Sequence, residues 1–159
     1  MSMGAQVVWS DCALGAMPPL TLYAVLALRS KVFVVEQNCI FLDPDGLDAQ
    51  AAHLMGHRDG QLLAYARCIP PGVVFAEASL GRVVTDDAAR GSGIGQELVR
   101  QAKALVQRRW GHCPIRIGAQ AHLLRFYQGH GFAGVGKPYL EDGIDHLEML
   151  FQPGLPEPP

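Results

Sequence analysis

The clearest chemical signal in this chain is the run Arg90-Gly91-Ser92-Gly93-Ile94-Gly95. It stands where an apolar, partly β-branched segment, Leu80 to Thr85, gives way to Ile94, Leu98, Ala102, Leu105 and Val106, which are spaced for one face of a helix. Alternating glycines let a ligand come close to the backbone, because no Cβ stands in the way. The first N–H groups of a helix have no internal partners and lie at the positive end of its dipole. Together these features suit a phosphate or pyrophosphate. Spacing excludes two familiar loops. A P-loop requires Lys-Ser/Thr after its second glycine, but Gly95 is followed by Gln96-Glu97. A dinucleotide fingerprint beginning at Gly91 or Gly93 would place its third glycine at Gln96 or Leu98. What remains is a phosphate-binding turn of another kind, or else a glycine-rich connection that binds nothing.

The chain has 159 residues, enough for one domain with a sizeable core, spanning 1–152 and followed by a tail, 153–159. That tail carries four prolines in seven residues and is expected to be disordered. A hydrophobic content of 49% with a formal charge of −2 excludes a disordered chain and argues against a nucleic-acid partner. No apolar run reaches the roughly 18–20 residues of a membrane span, and no signal peptide is visible. Cys12, Cys39, Cys68 and Cys113 are scattered, with no CxxC pair for zinc and no disulfide framework. They read as small buried hydrophobes in a reducing cytoplasm. Asp43-Pro-Asp-Gly-Leu-Asp48 contains part of a calcium loop, but its twelfth position is Leu54 instead of glutamate, so no metal is expected.

The elements that must position the glycine run follow from periodicity and turn residues. Ala5 to Trp9 predicts a first strand, and Pro18-Pro19 a helix entry continued by Leu22, Val25, Leu26 and Arg29. The β-branched run Val32-Phe-Val-Val argues against continuing that helix, and Glu36-Gln37 closes the apolar stretch. Ala52–His57 and Leu62–Ile69 read as strands joined at Asp59-Gly60, a strong hairpin signal. A third strand, from Val73 or Glu77 onward, runs into Leu80–Thr85. After the glycine-loop helix come a strand at Ile115–Ala119 and a helix from Gln120 ended by Gly129 or Gly131. Phe132–Val135 and Asp145–Phe151 predict the last strands. The order β-α-β-β-β-α-β-α-β-β describes a mixed α/β, or α+β, sandwich.

The loop Arg90-x-x-Gly93-x-Gly95, set between strand and helix, resembles the pyrophosphate loop of the GNAT N-acetyltransferases, which use acetyl-CoA. A second block supports the resemblance over the second half of the chain. In the family's N-x-x-A-x-x-L-Y-x-x-x-G-F, Gln120 stands for the asparagine, Leu123 for the alanine and Phe126 for the leucine, while Tyr127, Gly131 and Phe132 keep their places. Val32-Phe-Val-Val-Glu-Gln-Asn38, Ala64-Tyr-Ala-Arg67, Gly118-Ala-Gln-Ala-His-Leu123 and Tyr139-Leu-Glu-Asp-Gly-Ile-Asp-His146 are similar to the ElaA-like subfamily through nearly the whole chain. The resemblance implies a mixed, mostly antiparallel twisted sheet with a central splayed strand pair and flanking helices. It also implies acetyl transfer from acetyl-CoA to a primary amine of a small molecule or peptide, and it is compatible with a homodimer. The rival reading is a non-catalytic acyl-CoA-binding module.

The same resemblance implies roles. Backbone groups of Val83, Val84 and Thr85 would line the pantetheine arm, and N–H groups of Arg90, Gly91, Ser92, Gly93, Ile94 and Gly95 would hold the pyrophosphate. The Arg90 side chain would support loop or phosphate, and Gln120 would meet the arm. Tyr127 would protonate the departing thiolate, a phenol's reference pKa of about 10 lying near a thiol's, or else serve as a core aromatic. Direct transfer needs a base for the amine and donors for the developing oxyanion. Glu36 and His146 are the base candidates, each with a structural alternative as helix cap or solvated strand residue. His53, His122 and His130 are weaker candidates. Arg67 would pair either with an acceptor carboxylate or with acidic residues of the chain itself.

Overall fold

Leu62 to Ile69 is apolar at nearly every position, the pattern of a strand covered on both faces. The computed structural model, which describes residues 6–154, shows why. The elements are β1 (Val8–Ala13), α1 (Pro19–Arg29), β2 (Ala52–Arg58), β3 (Gln61–Ile69), β4 (Ser79–Thr85), α2 (Ile94–Trp110), β5 (Ile115–Gln120), α3 (Leu124–Gln128), β6 (Phe132–Glu141) and β7 (Ile144–Phe151). On one face of the first sheet, Leu98, Val99, Ala102, Leu105 and Val106 of α2 join Leu54, Leu63 and Cys68. On the other, Val25 and Leu28 of α1 pack with Met55, Leu62, Tyr65 and Val84. Burying each such side chain contributes roughly 1.5–3 kcal/mol, which holds both helices on the sheet.

The strands form two antiparallel sheets, β1-β2-β3-β4 and β5-β7-β6. Where they meet, β4 and β5 share only a bridge between Ala78 and Ile115, with Arg116 N–H donating to Ala78 C=O at 2.8 Å. Beyond that bridge the two strands diverge, which makes β4 the edge of its sheet and opens a wedge beside it. Within β4 the pairing with β3 slips between Tyr65 and Arg67, and Arg82 takes φ of 48° at this bulge. The expected hairpin at Asp59-Gly60 forms, with φ of 52° and 77°, as does a second at Asp142-Gly143.

Several boundaries differ from the sequence expectation. The first strand is Val8–Ala13 instead of Ala5–Trp9, because it pairs with β2 from Val8↔His57 to Ala13↔Ala52; Ala5 lies outside the described residues. The helical path does not stop at Arg29. Ser30–Glu36 continues as a π-helix, closed by Gln37 N–H to Val32 C=O at 3.2 Å and Cys39 N–H to Val34 C=O at 3.0 Å. Tertiary packing overrides the weak helix propensity of the β-branched run, since Val32 and Phe33 pack against the α1 core. Gln120 belongs to the end of β5 and not to a helix. Ala121–Leu123 is a 3₁₀ turn, and α3 begins only at Leu124. β6 runs on to Glu141 through a bulge between Val135 and Tyr139, instead of ending at Val135. Cys39 and Cys68 are buried, while Cys12 and Cys113 are partly exposed, and all four are free thiols. Residues 155–159 of the proline-rich tail lie outside the described residues.

Candidate active site

The wedge between β4 and β5 is a cleft of about 870 Å³. Its walls include Glu36, Val83, Val84, Thr85, Arg90, Gly95, Gln120, Tyr127 and His146, so residues expected from distant parts of the sequence line one cavity. Gly91, Ser92, Gly93 and Ile94 form the turn beside it. Gly91 and Gly93 take φ of 81° and 83°, a conformation that favours glycine, and a Cβ at either would meet open space. Gly93 caps α2 with no side-chain hydrogen bond, and Ile94 turns its side chain into the core, so this turn presents backbone to the ligand side. The Ser92 hydroxyl donates to Ala89 C=O and braces the turn. An edge strand offering its ladder groups, followed by an uncapped helix start, fits an extended amide chain that ends in a pyrophosphate.

The π-helix lies against this cleft and is tied to it at both ends. Lys31 Nζ contacts Asp87 at 2.8 Å and Asp86 at 3.4 Å, in the connection between β4 and α2. At the other end, Arg90 Nη2 donates to Glu36 Oε2 at 2.8 Å and to Thr85 C=O at 3.3 Å. The next residue, Gln37, exchanges amide hydrogen bonds of 3.2 and 3.3 Å with Gln120. Cys39 Sγ then donates to Asp142 C=O at 3.3 Å. Residues 36–39 therefore cross the cleft as a strap, from the glycine turn past β5 to the β6–β7 hairpin. Sequence reasoning named Glu36 and Gln120 but had no means of finding the partners they use.

His146 faces Gln120 across the β5–β7 ladder and Tyr139 across β6–β7. It stacks on the Tyr139 ring at 5.5 Å. Its Nδ1 lies 2.7 Å from Ile144 C=O, which can only accept, so Nδ1 carries the proton. In the neutral ring the lone pair is therefore on Nε2, 3.5 Å from Glu141 Oε2. Gly118 lies where a Cβ would collide with the Tyr139 hydroxyl, a physical reason for the glycine that opens the Gly118–Leu123 block.

Tyr127 is 6% exposed, packed edge-on between Phe126 and Phe132, and still part of the cleft wall. Burial pushes its phenol pKa up, so the hydroxyl keeps its proton throughout the neutral range. The core-aromatic and cleft-facing readings of this residue are compatible. Of the remaining histidines, His122 reaches the cleft. His53 is buried, with Nε2 2.8 Å from Asp48 C=O and Nδ1 2.7 Å from the Tyr65 hydroxyl, and burial lowers its pKa. The backbone C=O of His130 accepts from Lys103 Nζ at 2.8 Å.

Arg67 is engaged by acidic residues of the chain, forming a fork of 2.7 and 2.8 Å with Asp45 and reaching Asp48 at 3.1 Å. Arg29 meets Asp43 and Asp48 at 2.8 Å each, and Arg82 meets Asp43 at 2.8 Å. Three arginines from α1, β3 and β4 thus pin the acidic loop Asp43–Asp48 beside the cleft. Desolvation alone would raise the Asp45 pKa. Hydrogen bonds from Arg67 and the Leu47 N–H, with the charges of Arg67 and Arg82, outweigh it and hold the carboxyl at about 2. No cluster of His, Cys, Asp and Glu among the described residues is arranged to hold a metal ion, and no helix among them is long and apolar enough to cross a membrane.

Comparison with known proteins agrees with this architecture. The chain is 39% identical to protein ElaA of Escherichia coli over 145 residues, 90% of this chain and 95% of that one. The crystal structure of E. coli ElaA superposes with a TM-score of 0.85, covering 92% of this chain and 99% of that one. An acyl-CoA N-acyltransferase from Pseudomonas aeruginosa superposes with a TM-score of 0.87 at 42% identity, covering 91% of this chain and 99% of that one. The fold is also that of an aminoglycoside 6′-N-acetyltransferase solved with coenzyme A, at a TM-score of 0.72 and 15% identity, covering 96% and 99% of the two chains. A family model for the acetyltransferase (GNAT) domain matches residues 45–152, from the pinned acidic loop through β7. The splayed β4–β5 pair, the glycine turn at the head of α2 and these likenesses are one finding: the chain belongs to the GNAT acetyltransferase family, on its ElaA-like branch.

Proposed function

We propose that the protein transfers an acetyl group from acetyl-CoA directly to a primary amine. The observation that carries this reading is the continuity of the cleft. The open strand edge, both ends of the glycine turn (Arg90 and Gly95), the buried phenol and the two candidate bases, Glu36 and His146, all border one cavity. When bound, acetyl-CoA supplies an activated acyl group on a thiol leaving group; the chain's part is to place that group and manage protons. The edge groups of Val83, Val84 and Thr85 bind the pantetheine amides as an added strand, and the β4 bulge at Arg82 turns backbone away from the β3 ladder toward the cleft. N–H groups from Arg90 to Gly95 hold the pyrophosphate, with Gln120 beside the arm.

Tyr127, held protonated by burial, donates to the departing sulfur. Its high pKa makes it a hydrogen-bond donor that gives up the proton only as negative charge builds on that sulfur. Glu36 accepts the proton of the ammonium, directly or through water, and His146 orients the amine. Glu36 is paired with Arg90, so it is available as a base once a phosphate competes for that guanidinium. His146, with its lone pair on Nε2, is the alternative base.

The test has two readouts. Coenzyme A at a hundredfold excess over its dissociation constant should stabilise the fold by about 2.7 kcal/mol, a rise of roughly 5–10 °C in midpoint for a chain of this size. Gly93→Asp, which puts bulk and negative charge where the phosphate sits, should remove most of that rise. Thiol release from acetyl-CoA that depends on added amine then identifies a transferase. Binding without release would identify the non-catalytic module, and no stabilisation would overturn both readings.

A further inference from the structure

One end of the cleft, the one assigned below to the acceptor, lies between the loop following the π-helix and the β6–β7 hairpin, which Cys39 and Asp142 hold together at 3.3 Å. Its chemistry is uneven in charge. The arginines on this side, Arg29, Arg67 and Arg82, are all committed to Asp43, Asp45 and Asp48. Arg82, the one of the three that lines the cleft, also lies over the Phe41 ring at 5.5 Å, held from both sides. The carboxylates of Glu141 and Asp142 line the same end. Among the described residues, the basic group paired with Glu141 is His146, at 3.5 Å, and it is charged only if protonated. Apart from Gln37, Cys39 and the arginine-paired Asp45, this wall is apolar: Val32, Phe33, Phe41, Leu42 and Ile144. The rim continues this character, with Ile40 fully exposed, Leu42 80% exposed and Leu140 71% exposed.

We infer that the acceptor is a small primary amine with an apolar body and no acidic group. This rests on the acetyltransferase reading above. The apolar body covers the surface exposed at Leu42 and its neighbours, and the incoming ammonium is drawn by Glu141 and Asp142 before it loses its proton. A carboxylate on the acceptor would meet two like charges, with Arg29, Arg67 and Arg82 already paired. The step is ordinary aminolysis. Once the base has taken the ammonium proton, the neutral amine nitrogen forms a bond to the acyl carbon; as the carbon–sulfur bond breaks, the sulfur takes the Tyr127 proton and leaves as the thiol, and the second proton shed by the nitrogen restores the phenol.

Two matched pairs test this on the full chain with acetyl-CoA: phenethylamine against L-phenylalanine, and hexylamine against 6-aminohexanoate. Amine-dependent thiol release is followed, and coenzyme A stabilisation is measured separately without amine. The acid-free member of each pair should have at least tenfold higher kcat/KM. Glu141→Gln with Asp142→Asn should narrow that gap at least threefold without altering coenzyme A affinity. Leu42→Ser, at an exposed position where folding is not at stake, should raise KM for the acid-free amines with little change in kcat. An acid-bearing amine used equally well, an unchanged gap in the double variant, or no release with any of the four amines while coenzyme A still stabilises the fold would each overturn the acceptor assignment. The first two results leave the acetyltransferase reading standing, and the third leaves only coenzyme A binding. Absence of coenzyme A stabilisation would instead overturn the acetyltransferase reading.

Discussion

The pair between Glu36 and Arg90 joins the two halves of the proposed reaction, and removing its carboxylate separates them. Glu36 is 32% exposed and Arg90 45%, with 2.8 Å between them. An ion pair this open contributes about 0.2–1 kcal/mol. If the pyrophosphate draws on the same guanidinium, binding must break the pair, and the cofactor's affinity is reduced by that amount. Glu36→Gln should therefore tighten coenzyme A binding by about 1.4- to 5-fold, since each 1.4 kcal/mol is a factor of ten. The gain should shrink with added salt, because exposed charges are screened. Titration calorimetry at low and high ionic strength reads this directly. Arg90→Gln should weaken binding and abolish the response to Glu36→Gln, which the double-mutant cycle detects as coupling. Turnover should move the opposite way. If Glu36 is the base, Glu36→Gln should lower kcat by about 10²-fold or more at neutral pH, and by less at high pH where the amine is already neutral. Tightened binding with unchanged turnover would leave Glu36 as a lock on Arg90 and pass the base to His146. Unchanged or weakened coenzyme A binding at low salt would refute the competition for Arg90.

Tyr127→Phe keeps the ring between Phe126 and Phe132, so stability and coenzyme A affinity should change little while turnover falls by about 10²-fold or more; equal turnover with chemistry rate-limiting would remove the phenol from the mechanism. The acidic loop should respond to pH. The Asp45 carboxyl sits at about 2 in the folded chain against a reference of 3.8. A depressed folded pKa contributes stability that is full above the unfolded value and is lost as pH falls through the folded one. Its contribution should therefore disappear between about pH 4 and pH 2. Asp45→Asn should lower the thermal midpoint at pH 7, with the difference from the parent chain shrinking across that interval. A constant difference down to pH 2 would show that the Arg67 fork contributes through packing alone.

Local chemistry made part of this protein legible in its sequence. The glycine turn depends on residues adjacent in sequence, as do the Asp59-Gly60 hairpin, the apolar stripe of α2 and the buried run of β3, and each forms where its residue types require it. Tyr127, Gln120 and His146 came from family resemblance, and the fold brings all three to the cleft. What the sequence left open depends on partners far away in the chain. The β-branched run after Arg29 argues for leaving the helix, yet packing of Val32 and Phe33 keeps it helical as a π turn. Arg67 could have served a substrate; Asp45 and Asp48, 22 and 19 residues away, take it instead. Glu36 meets Arg90 across 54 residues and Gln37 meets Gln120 across 83. A side chain's type states what it can bind, but its availability depends on which opposite charge or amide the fold sets within 3 Å or so. That is decided by how α1, the two sheets and the head of α2 close around the cleft.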